Sequence, residues 1–142
     1  MKSVGFTGCR EGMTEPQKSK VYGLLTDLYT LGFRTVRHGI CIGSDWDFHN
    51  MCKELGFTII GHPGVNKTGE RMVNKLIKCD ALHTEKYFLL RNRDIVNSCE
   101  IMIATPNTKD QSLRSGTWST IRYAKKCKRN ILVVDPEGIL LL

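Results

Sequence analysis

The 142 residues contain no apolar run long enough to span a bilayer, no Cys-x-x-Cys pair, no internal repeat and no Pro-, Gly- or Ser-rich linker. Each absence removes a class. A membrane helix needs about 20 consecutive apolar residues, so none is expected. Six cysteines scattered at positions 9, 41, 52, 79, 99 and 127 have no zinc-ligand or redox-motif spacing, and they read as reduced thiols. Cys41 and Cys99 flank apolar strand residues and fit core positions. No signal-peptide pattern precedes Ser3-Val4-Gly5-Phe6, which already looks like a strand, so a cytosolic location is expected. With no linker and a length ordinary for one core, residues 1–142 are expected to form one domain.

What is present is a soluble globular composition, 41% hydrophobic and 25% charged, with a formal net charge of +7. That excess attracts phosphates, in a nucleotide or in a nucleic acid alike. Much of it sits in Lys125-Lys126-Cys127-Lys128-Arg129, at the expected end of a helix, where cations also complement the helix dipole.

Strand-like and helical patterns alternate along the chain. Ser3 to Phe6 leads through Thr7-Gly8-Cys9-Arg10 to a helix with Val21, Leu24, Leu25, Leu28 and Leu31 at helical spacing, opened by Thr14 and Pro16 and stopped at Gly32. Thr35 to His38 is a second strand, followed by Gly39 to Asp45 and a helix from Trp46 to Leu55. Phe57 to Ile60 is a third. Residues 65–85 carry no clear period. A helix from about Lys86 to Val96 precedes the strand Glu100 to Ala104, and a last helix after Gly116 precedes Ile131 to Val134. This order predicts an α/β fold: a doubly wound, mostly parallel Rossmann-like sheet of about five strands with helices on both faces. The apolar tail from Gly138 to Leu142 is expected to pack on the body or in a subunit interface, and a homo-oligomer is expected.

In such sheets ligands bind outside the carboxyl ends of the strands. The residues there are Thr7 to Arg10, His38 to Asp45, Gly61 to Gly64, Thr105-Pro106 and Arg114 to Thr117, and these are the Gly-rich, His-containing and hydroxyl-rich stretches of the chain. Ser115-Gly116-Thr117 opens a helix, where free backbone N–H groups and the dipole favour a phosphate; the alternative is that Ser115 or Thr117 merely caps the helix. Thr7 and Gly8 permit close backbone approach, and Arg10 adds charge. Asp45 reads as a sugar contact or as a helix cap. His49, one turn on, is placed to meet it, for acid–base work or as structure. His38 and His62 each end a strand, one of them near a phosphate; neither has metal-ligand spacing, and no metal is predicted. Arg91 and Arg93 point to different faces, so one of them reaches the cleft. Trp118 reads as core or as a stacking platform for a base.

Four stretches together resemble the SLOG superfamily of Rossmann-like domains: Gly5 to Arg10, Gly39 to His49 with its Gly43-Ser44-Asp45 core, Arg91 to Val96, and Ser115 to Thr120. The order is most similar to the DprA-like branch. The resemblance implies a strand-end rim that holds a nucleotide, a nucleotide sugar or single-stranded DNA, with Gly43, Ser44 and Asp45 in the site. The Lonely Guy phosphoribohydrolase branch carries a catalytic Glu in its Gly-x-Gly-Thr-x-x-Glu turn, and this chain has Thr120 there. That departure lowers the expectation of an enzyme, because a threonine neither stabilises an oxocarbenium ion nor activates water as a carboxylate does. The expected function is binding of a nucleotide or nucleotide-derived small molecule through Thr7, Gly8, Arg10, Gly43, Ser44, Asp45, Arg91, Ser115, Gly116 and Thr117, without a further cofactor. Two alternatives are kept: a nucleotide N-glycosidase using Glu11, Glu15 or His49, and a DprA-like single-stranded DNA binder.

Overall fold

A computed structural model describes residues 2–141. The chain runs β1 (Ser3–Gly8), α1 (Glu15–Thr30), β2 (Thr35–His38), α2 (Ser44–Leu55), β3 (Thr58–Gly61), β4 (Gly64–Val65), β5 (Ala81–Leu82), β6 (Lys86–Tyr87), α3 (Phe88–Asn97), β7 (Ile101–Thr105), α4 (Gly116–Lys126), β8 (Asn130–Val134) and β9 (Leu140–Leu141). The main sheet is ordered β5-β3-β2-β1-β7-β8-β9, and β4 pairs with β6 in a separate two-stranded ribbon. All pairings in the main sheet are parallel except β8 with β9.

The sheet therefore has seven strands where about five were expected. The five central strands are those that the alternation predicts. The additions are two-residue edge strands, too short to show a period. β5 comes from the stretch that has none, and its residues Ala81 and Leu82 are both exposed. β9 is the apolar tail, which covers the β8 edge by antiparallel pairing of Val133 with Leu141 and Val134 with Leu140. Leu142, the last residue of that tail, lies outside the described residues. Lys86–Tyr87, read from sequence as the start of a helix, is instead the strand β6.

Period-two alternation distributes the core over both faces. Val4 and Phe6 of β1 pack with Val21, Leu25 and Leu28 of α1 and Phe48 and Cys52 of α2. Met102 of β7 packs with Ile95 and Val96 of α3, and Ala104 with Trp118 and Ile121 of α4. The start of α1 is fixed by its own side chains. In α1 the Thr14 hydroxyl accepts from the Gln17 amide at 3.1 Å while the Gln17 side chain accepts from the Thr14 amide at 3.0 Å, a reciprocal cap. No helix among the described residues is long and apolar enough to cross a membrane.

Candidate functional site

From β1 the chain moves outward through β2 and β3 on one side, and β7 and β8 lie on the other. The loops leaving the carboxyl ends of β1 and β7 thus part in opposite directions, and a cleft of about 710 Å³ opens between them. Thr7, Gly8, Arg10, Asp45, Arg91, Ser115, Gly116 and Thr117 all line it. Thr7 and Gly8 are the last residues of β1 itself, one step earlier than the turn in which the sequence places them.

Gly43 and Ser44 do not line the cleft; they build its wall. The Ser44 amide donates to the Cys9 carbonyl at 3.0 Å, so the start of α2 is clasped to the loop after β1. Gly43 makes this possible, with φ of 77° and its Cα so close to the loop that a Cβ would stand 2.1 Å from the Arg10 carbonyl oxygen. Gly8 is under the same constraint: a Cβ there would stand 2.4 Å from the Ser44 Cβ and 2.7 Å from the Thr105 hydroxyl. Asp47, which the sequence did not single out, completes the clasp by accepting from the Met13 amide at 2.9 Å.

At α4 the Ser115 side chain is a helix cap. The Ser115 hydroxyl accepts from the Trp118 amide at 3.2 Å, which is the capping role. Gly116 and Thr117 are the first two residues of the helix, so their amides have no partner within it, and both residues line the cleft. Behind them, Trp118 is buried and its indole N–H donates to the Thr108 hydroxyl at 3.0 Å, so it belongs to the core and is no stacking platform. Thr120 is buried too, its hydroxyl donating to the Gly116 carbonyl at 2.9 Å. The residue in the position of the phosphoribohydrolase glutamate is thus committed to its own helix.

Arg91 is the organiser of the other wall. Its Nε donates to Asn92 Oδ1 at 2.7 Å, one terminal nitrogen donates to the carbonyls of Gly39 at 2.8 Å and His62 at 3.1 Å, and the other reaches Cys41 Sγ at 3.7 Å. Four of its five N–H donors are spent on protein groups, so it joins the loops after β2 and β3 to α3 more than it offers a free fork to a ligand. Arg93 faces the other way, over the Tyr123 ring at 4.9 Å. Asp94 pairs with Lys86 at 2.6 Å.

Asp45 is no helix cap: Gly43 holds that position, and Asp45 Oδ2 accepts from the Cys41 amide at 3.0 Å. Burial raises its carboxyl above the ordinary range, and the Arg91 charge opposes that rise. Nor does His49 meet Asp45. Its Nδ1 lies 2.9 Å from His38 Nε2, inside the protein and outside the cleft. The Ile40 amide donates to His38 Nδ1 at 3.0 Å, which in the neutral ring puts the proton on Nε2, facing His49. His38, His49 and Cys79 bring potential ligand atoms within 4.8 Å of one another, a juxtaposition that their sequence spacing hides. With the proton on Nε2 the His38 nitrogen facing His49 has no lone pair for a cation, and the arrangement is a hydrogen-bonded imidazole pair. His62 is buried as well, accepting from Arg37 at 3.1 Å and stacked on His83 with centroids 4.6 Å apart. Neither strand-end histidine lines the cleft.

Of the carboxylates proposed as catalysts, Glu11 lines the cleft, whereas Glu15 starts α1 and pairs with Lys18 at 3.3 Å, away from it. Cys9 and Cys41, assigned from sequence to a turn and to the core, both line the cleft, and burial holds each thiol above its ordinary range, so both are neutral. Arg114, read from sequence as part of the rim, lines it, and so do Phe88, Asn92 and the polar loop residues Asn107, Thr108 and Ser112, whose roles the sequence did not single out. The signal available for Asn92 was its place beside Arg91; for the loop it was only that it joins β7 to α4.

No protein-family model matches the chain, and no curated protein matches it in sequence. Solved structures do match. The molybdenum cofactor binding protein of the phototrophic bacterium Rippkaea orientalis superposes with a TM-score of 0.67 at 20% identity, over 94% of this chain and 76% of that one. The molybdenum cofactor carrier protein of Chlamydomonas reinhardtii gives 0.62 at 20% identity, over 94% and 76%. DNA processing protein A of Streptococcus pneumoniae gives 0.68 at 19% identity, over 94% of this chain and 50% of that one. At these identities the likeness is one of fold: the chain shares with these proteins a Rossmann-like architecture, a mostly parallel sheet with helices.

Proposed function

We propose that the cleft binds a nucleotide or nucleotide-derived small molecule and that the protein acts as its carrier, sensor or sequestering agent. The observation that carries this reading is the start of α4. Gly116 and Thr117, whose amides are the unpaired first donors of α4, line a cleft at the switch point of the sheet together with Gly8, where a Cβ would clash with Ser44 and Thr105, and with Arg10 and Arg114. That is the environment of a phosphate. Asp45 supplies an acceptor for a sugar hydroxyl. The likeness in fold to a molybdenum cofactor binding protein and a molybdenum cofactor carrier protein supports a small-molecule ligand.

Mass spectrometry of small molecules released on denaturation, paired with binding of AMP and GMP by calorimetry, tests this. Gly116→Glu is the control, because open space surrounds the position where its side chain would begin and the added charge repels a phosphate. Micromolar binding lost by at least tenfold in the variant is expected. Equal binding by both proteins refutes the assignment. A second reading, an N-glycosidase, rests on Glu11 in the cleft. It requires free base to appear from a nucleoside monophosphate and to cease in Glu11→Gln.

A further inference from the structure

We propose that the edge of the sheet opposite the cleft is a docking surface for double-stranded nucleic acid, held through its phosphodiester backbone. Register places the cations. Ser3 pairs with Thr35, Val4 with Ile101 and Ile101 with Asn130, so the amino ends of β2, β1, β7 and β8 stand side by side within one residue of a common level. The residues just before them are Arg34, Lys2, Glu100 and Arg129, a row spanning about 14 Å at the usual strand spacing. The carboxyl end of α4 adds Lys125, Lys126 and Lys128 beside β8.

This edge brings six exposed cations together with one carboxylate, in a chain whose formal net charge is +7. The carboxylate is Glu100, which accepts from the Ser3 amide. No ion pair among the described residues engages any of the six. Two are held in place by rings: the Arg34 guanidinium lies 3.7 Å over Tyr29, and Lys2 Nζ lies 5.7 Å from Phe33. Lys128 takes a left-handed conformation, φ 57°, where a helix ordinarily ends in glycine. A charged side chain therefore stands where backbone preference alone favours none.

The chemistry of the row selects its partner. Tyr29 and Phe33 lie against cations, so among the described residues there is no open aromatic platform at this row for an unstacked base, and the exposed large apolar side chain beside it among them is Leu31, too little to enter a bilayer. What remains is fixed and mobile positive charge along a line, suited to the regular phosphates of a duplex and blind to its sequence.

Fluorescence anisotropy with a duplex of about 20 base pairs tests the proposal, since six phosphate contacts predict a log–log salt slope of about −5 and loss of about 10³ in affinity from 50 to 200 mM salt. The triple variant Lys125→Glu, Lys126→Glu, Lys128→Glu is expected to lower affinity at least 30-fold and to flatten the slope by about 3. Lys67→Glu, Lys75→Glu, Lys78→Glu makes the same change of net charge at three exposed positions between β4 and β5, and is expected to stay within about threefold of wild type. All substituted positions are exposed, and circular dichroism verifies folding. Equal loss in both variants, failure of the wild type to bind, tighter binding of single-stranded oligonucleotide than of duplex, or binding of phosphatidylserine vesicles without duplex each overturns it.

Discussion

Arg91 shows why residue type was easier to read than residue role. Its neighbourhood marked it as a cleft residue, and it lines the cleft, but its donors are turned to Gly39, His62, Asn92 and Cys41. A sequence gives the charge of a side chain and not the carbonyls that consume its protons. The same holds for Asp45, placed correctly on the rim but fixed by the Cys41 amide, and for His49, which turns inward to His38. Replacing Arg91 by alanine leaves two carbonyls and a buried carboxyl without their cation, a change expected to cost about 3–5 kcal/mol. Arg91→Lys keeps the charge without the fork and is expected to recover less than half of that. Urea unfolding of the three proteins checks the order. Equal stability of lysine and arginine would mean that the charge alone matters.

At the scale of elements, the long periodic pieces were legible and the short ones were not. α1 could be read from its Leu and Val spacing and from Thr14 and Pro16, because a helix of 16 residues repeats its pattern several times and signals its own start. β4, β5 and β6 have two residues each, and no period can be seen in two residues. They form because α3, β3 and the Arg91 staple hold their partners in place, which is tertiary information. Thr14 also has a role that its capping pattern does not reveal: its hydroxyl donates to the Pro136 carbonyl at 2.7 Å, tying the start of α1 to the turn before β9. Thr14→Ala removes both this bond and the cap. A loss of about 1–2 kcal/mol is expected, seen as a melting point lower by about 3–6 °C. A fall confined to the first turn of α1 in hydrogen exchange, with no change at β9, would show that the Pro136 bond carries nothing.

For the whole molecule, the buried histidines set how stability answers to pH. Burial lowers both His38 and His62 from 6.5 to about 3, with the neighbouring histidines His49 and His83 adding to the fall, respectively. Each ring is therefore neutral in the folded chain and protonated in the unfolded chain between pH 6.5 and about 3. The unfolded state binds more protons in that window, so stability is complete above pH 6.5 and is lost as pH falls, by about 1.4 kcal/mol per unit for each ring. His49, also lowered by burial, acts in the same direction. Asp45 acts in the opposite one: its carboxyl is raised, so the folded chain favours its proton, and its desolvation weighs against folding at neutral pH. Three histidines outweigh one carboxyl, and unfolding free energy is expected to fall steeply from pH 7 to 5. His62→Gln keeps an acceptor for Arg37 but removes one titrating ring, and it is expected to reduce that fall by about 2 kcal/mol. An unchanged pH profile in His62→Gln would show that His62 titrates alike in the folded and unfolded chains, and would leave the loss to the His38–His49 pair beneath the cleft.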